Sequence, residues 1–137
     1  MSLNISVFNS SSRKPLANKP IVKKIENVLI HFKIKNAEIN VIFVDDEEIH
    51  RINKEFLNHD YPTDVITFPF EDTDLEGEIY ISVDTADLQA KEYKVTLTNE
   101  LMRLAIHGTL HLIGYEDDTK EKKAEMSELE DKFLALN

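Results

Sequence analysis

The strongest constraint on this chain lies in residues 96–118. They open on Thr96 and Thr98 as candidate helix caps, and then set Leu97, Leu101, Met102, Leu104, Ala105, Ile106, Leu110 and Leu112 around almost the whole circumference of a helix. A helix without a polar face belongs in the interior of a domain, so the other elements must pack around it. Two histidines interrupt its apolar surface. His107 and His111 stand four apart, one above the other on one helical face, where their ring nitrogens can converge on a single ion. The spacing alone also fits a pair of hydrogen-bonded core histidines. The surroundings favour the ion. Buried imidazoles need partners, Gly108 between them weakens the helix unless something approaches closely, and acids follow the helix end. Gly114 permits a left-handed turn that folds the chain back toward the histidines, within reach of Asp117.

The 137 residues suit one domain, 1–137, around a single core. With 42% hydrophobic residues, three glycines and four prolines, the chain should be rich in regular structure. No apolar run approaches the roughly 20 residues of a membrane span, and the N-terminus lacks a signal-peptide pattern, so a cytoplasmic location is expected. The absence of cysteine excludes disulfides and thiolate sites, leaving imidazole and carboxylate as metal ligands. A net charge of −10 at first opposes nucleic-acid binding. Its distribution does not. Residues 1–35 hold Arg13, Lys14, Lys19, Lys23, Lys24, Lys33 and Lys35 against Glu26, a balance of +6 that leaves −16 for the remainder. That basic segment is either a phosphate-tracking surface or an ordinary solvated helix face.

Along the chain, residues 4–8 read as an edge strand followed by a Ser-rich loop, and Pro20 opens a helix that buries Ile21, Ile25, Val28, Leu29 and Phe32 and turns its lysines outward. Residues 37–44 form a strand with Ile39, Val41 and Phe43 on one side. Asp45 and Glu48 suggest a capping box for a helix burying Ile49, Ile52 and Phe56. The next strand, residues 64–68, should stop pairing at Pro69, and a short acidic loop at 71–76 leads to the strand at 77–82. Asp84 is the expected cap of the following helix. Asp118, with Glu121, is that of the last, which packs Met126, Leu129 and Phe133.

The segment His107-Gly108-Thr109-Leu110-His111-Leu112-Ile113-Gly114-Tyr115 resembles the His-Gly-x-Leu-His-Leu-x-Gly-Tyr signature of YbeY, the metal-dependent endoribonucleases of bacterial rRNA maturation. Pro62-Thr63-Asp64-Val65-Ile66-Thr67-Phe68-Pro69, Gly77-Glu78-Ile79-Tyr80-Ile81-Ser82 and Gln89-Ala90 are similar to further segments of that family, in the same order. The resemblance implies an α+β fold, a mixed four-stranded sheet packed with helices, with a zincin-like metal-binding central helix. It also implies hydrolysis of single-stranded rRNA during maturation and quality control of the small ribosomal subunit, with zinc or another divalent metal as cofactor.

Two positions depart from the family pattern. Asp117 stands where the family places a third histidine ligand, so the expected metal set is His107, His111 and Asp117. Leu57 replaces an arginine of the family's Asn-x-x-Tyr-Arg-x-x-Asp segment, removing a phosphate contact for which His59, two residues on, is the candidate substitute. Three protein ligands leave a coordination position for water, which suits metal-activated hydrolysis. Two other classes compete. A metallopeptidase would carry His-Glu-x-x-His, but Gly108 occupies the glutamate's place. A non-enzymatic, zinc-stabilised assembly factor would use the basic N-terminal face for rRNA and the metal only for structure.

Overall fold

The computed structural model describes residues 2–13, 18–70 and 75–136. Among them the chain forms β1 (Ser2–Asn9), α1 (Lys19–His31), β2 (Asn36–Val44), α2 (Asp46–Leu57), β3 (Val65–Phe70), β4 (Leu75–Ser82), α3 (Val83–Tyr93), α4 (Leu97–Ile113) and α5 (Lys120–Ala135). The sheet order is β1-β2-β4-β3, with β1, β2 and β4 parallel and β3 antiparallel to β4. This is the expected mixed four-stranded sheet of an α+β fold.

Side-chain alternation along the two central strands explains the layers. Ile39, Val41 and Phe43 of β2 and Ile79 and Ile81 of β4 are fully buried in one cluster with residues of α1, α3 and α4. The intervening residues Ile42, Val44 and Tyr80 join Ile66 and Phe68 of β3 on the opposite face, against Ile49 and Ile52 of α2. Central strands covered on both faces must carry apolar residues in both registers, and these do.

Helix α4 contacts α1, α3, α5, β3 and β4, as its all-round apolar surface requires. Thr96 caps it by accepting a hydrogen bond from the Asn99 N–H at 3.0 Å. Gly108 is where it rests on the sheet. A Cβ there would lie 2.7 Å from Cγ2 of buried Ile79, so only glycine lets the helix backbone settle onto β4. On its other side Ile106 and Leu110 pack with Val28 of α1 and Met126 and Phe133 of α5.

Several local expectations are corrected. β3 continues through Pro69, which faces Gly77; β3 is an edge strand, where a missing N–H is tolerated. Leu75 and Glu76, expected in a loop, already belong to β4, and residues 71–74 lie outside the described residues, as does Lys14. Phe56 is 61% exposed, its ring meeting Phe68 at the rim of the sheet. Asp45 makes no capping bond, because its carboxylate accepts from the N–H and hydroxyl of Ser12, while Glu48 pairs with Arg51. Ser82, not Asp84, caps α3; Asp84 is drawn to Arg13 and to the Asp46 N–H. Likewise Thr119 caps α5 through the Lys122 N–H, and Asp118 instead pairs with the Lys122 ammonium at 3.2 Å.

In the last two cases a hydroxyl beside the acid takes the cap and a nearby cation takes the acid. Lys24 is also not on the solvated face. It is buried, and its ammonium donates to the carbonyls of Phe133, Leu134 and Leu136, closing the C-terminal end of α5. Among the described residues no helix is long and apolar enough to cross a membrane.

Candidate metal centre

α4 ends in a turn that brings Asp117 back to the histidines. The Tyr115 N–H bonds the Leu110 carbonyl at 3.0 Å and the Gly114 N–H that of His111 at 3.1 Å, with Gly114 at φ +125°, in the left-handed region. The Tyr115 ring is anchored on Phe32, the residue that ends α1, with centroids 5.6 Å apart. Asp117 Oδ2 then lies 3.4 Å from His107 Nε2 and 3.6 Å from His111 Nε2. The edge of a tetrahedron whose ligand bonds are those of zinc to nitrogen and oxygen is about 3.3 Å. Asp117 is thus spaced from each histidine as such an ion requires, and the three donors all lie within 4.8 Å of one another.

Behind the histidines runs a buried chain of charge. His107 Nδ1 faces Glu130 Oε2 at 2.6 Å, a contact that in the neutral ring favours the proton on Nδ1 and leaves the Nε2 lone pair toward Asp117 and His111. Glu130, 5% exposed, accepts through its other oxygen from Arg103 at 2.9 Å. Arg103 in turn forks onto fully buried Glu100, which also accepts from the Gln89 amide. The hydrogen bonds that Arg103 donates to Glu100 drive the arginine's pKa further up against the opposing effect of burial, so it stays charged. Burial pulls the His107 pKa down, but the Glu130 hydrogen bond and charge, with Asp117 and Asp64, outweigh it and leave the pKa raised. Two carboxylates against one guanidinium leave the chain one negative charge in excess, which favours a cation at His107.

The histidines and Asp117 form the floor of an open cleft of about 320 Å³, walled by Asn53, Leu57, His59, Tyr61 and residues 63–67. All the site residues expected from sequence, His59 included, therefore meet in one place. Glu130, Arg103, Glu100 and Asp64 were not anticipated. Glu100 and Arg103 carried a signal, since two charges on an interior helix must be paired. Glu130, on α5 and 23 residues from His107, carried none.

A family model described as endoribonuclease YbeY matches residues 6–136. The chain belongs to the YbeY family. A protein named endoribonuclease YbeY from Chloroherpeton thalassium is 42% identical over 130 residues, covering 94% of this chain and 92% of the relative. One of the same name from Chlorobium phaeobacteroides is 38% identical over 135 residues, covering 98% and 94%. A Thermotoga maritima protein solved in solution superposes with a TM-score of 0.65 at 30% identity, covering 95% of this chain and 86% of that one. Within this YbeY chain, Leu57 lines the cleft, and no Lys or Arg is among the described residues that do so.

Proposed function

We propose that this YbeY chain is a metal-dependent endoribonuclease of one catalytic domain, residues 1–137. It hydrolyses phosphodiester bonds of single-stranded RNA in the cytoplasm, during maturation and quality control of small-subunit rRNA. The observation that carries this reading is the convergence of His107, His111 and Asp117 on the floor of an open cleft. These three hold the ion, and two imidazoles with one carboxylate suit zinc. Bound there, zinc acts as a Lewis acid that acidifies water and offsets charge on a phosphoryl oxygen.

The protein's own groups prepare the site. Glu130 keeps the His107 proton on Nδ1, and Asp64 contributes a second carboxylate to the cleft wall, a proton acceptor opposite the histidines. With Leu57 in place of arginine, cationic help for the phosphate backbone must come from outside the cleft. Lys19 and Lys23, exposed on α1, offer it, whereas Lys24 and Arg13 are committed to α5 and to Asp84 and Asp87. That cation-poor cleft is also what would suit a non-enzymatic assembly factor. Metal analysis of the purified protein coupled to an RNA cleavage assay separates the two. Turnover of single-stranded RNA that is lost to a chelator and in His111→Ala supports the enzyme; RNA binding without turnover under any divalent metal supports the assembly factor.

A further inference from the structure

The loop between α2 and β3 carries two aromatic side chains that no core contact requires. Asn58 ends α2 in the left-handed region, φ 59°. The His59 N–H returns to the Asn53 carbonyl at 3.0 Å, and the Asn53 amide, on a residue only 2% exposed, donates to the Tyr61 carbonyl at 2.8 Å. Asp60 is held from outside by His50 Nε2 at 2.8 Å, and Pro62 keeps Tyr61 extended. His59 and Tyr61, two residues apart, project to the same side. Their rings are stacked with planes 9° apart and centroids at 5.4 Å. Both line the cleft that holds His107, His111 and Asp117, and Tyr61 is 50% exposed.

We propose that the His59–Tyr61 pair is a stacking subsite for an unpaired nucleobase next to the phosphate held at the metal centre, a proposal that rests on the RNA-cleaving reading above. A loop held by hydrogen bonds to Asn53 and His50 that exposes two parallel rings in a cleft has less entropy to lose on binding, and each ring offers a flat π surface. The cleft wall has no Lys or Arg among its described residues to grip phosphate, so inside the cleft contact with the base is the remaining source of affinity beside the ion. Every base has a π face, so the subsite selects for unpaired nucleotides, whose faces are free, and not for sequence. His59 then contributes a ring more than a charge.

The test is fluorescence anisotropy of the zinc-loaded protein with a short unstructured RNA oligonucleotide, read before turnover, and with the same oligonucleotide carrying an abasic site at each position in turn. One abasic position should weaken binding to the wild type by about tenfold, and Tyr61→Ala should weaken the intact RNA to the same degree. In Tyr61→Ala that abasic position should cost nothing further. Tyr61→Phe and His59→Phe should bind as the wild type, and zinc content should be unchanged throughout. An abasic penalty of equal size in the wild type and Tyr61→Ala overturns the subsite, as does loss of affinity in His59→Phe, which would return His59 to a phosphate contact. Cleavage measured in parallel keeps the two readings apart: coupling between Tyr61 and one base without turnover leaves the subsite standing and removes the nuclease, and turnover without coupling does the reverse.

Discussion

Replacing Glu130 by Gln changes one atom and should loosen the metal by 10- to 100-fold. Both carboxylate oxygens are in use, one facing His107 Nδ1 at 2.6 Å and the other accepting from Arg103 at 2.9 Å. An amide has one acceptor and one donor, so it satisfies only one side. If its oxygen takes the His107 proton, its NH2 meets the Arg103 N–H groups donor to donor. If it turns around, His107 must accept on Nδ1 and carry its proton on Nε2, the atom that faces Asp117. Either outcome costs about 1.4–2.7 kcal/mol of metal affinity, the equivalent of 10- to 100-fold. Competition against a chromophoric zinc chelator measures it directly. Thermal unfolding gives a second measure, since at saturating zinc each tenfold loss removes about 1.4 kcal/mol of metal-linked stability. Zinc affinity within twofold of the wild type in a folded Glu130→Gln protein would refute the idea that this carboxylate sets the ligating ring.

The geometry sets further outcomes for other variants. Asp117→Ala should lose zinc and Asp117→His should retain it, whereas Asp118→Ala should leave metal content unchanged and Thr119→Ala should cost about 1 kcal/mol of stability through the lost cap, as read by metal analysis and denaturant unfolding. Lys24→Met should destabilise the fold by about 1–3 kcal/mol by uncapping α5, and Lys19→Gln with Lys23→Gln should leave stability intact while weakening RNA binding and flattening its salt dependence. Gly108→Ala should cost about 1–3 kcal/mol in chemical denaturation because the new Cβ would press at 2.7 Å on Ile79, which is fully buried in the core.

The parts of this molecule that were legible in its sequence are those written in periodic apolar residues or in local spacing. The surface of α4, the alternation of β2 and β4, and the reach of Asp117 past Gly114 depend on a few neighbouring residues and on backbone geometry. Caps were harder, because Asp45, Asp84 and Asp118 each had a distant or newly positioned partner that outbid the local one: Ser12, Arg13 and Lys122. The same holds for Lys24, which the helical wheel turned to solvent and the end of α5 drew inward. Glu130 marks the limit. Its role depends on α5 folding back along α4, a tertiary event that no local pattern encodes, so the carboxylate nearest His107 was indistinguishable from the many acids around it.

The contact between Gly108 and Ile79 reaches beyond packing, into which reactions this scaffold is free to acquire. In a helix that offers two histidines to a metal, the position after the first is the obvious one from which to hang a catalytic glutamate. Here that position is pressed against a strand, and its Cβ would already collide at 2.7 Å with a side chain in the centre of the sheet. A glutamate could enter only together with a truncation of Ile79, which would hollow the core where α4 rests, a step that selection for stability opposes. Proton acceptors for this cleft must therefore be recruited from the wall facing the helix. The strand beneath has closed one evolutionary exit and left the opposite wall of the cleft as the place where new chemistry can be tried.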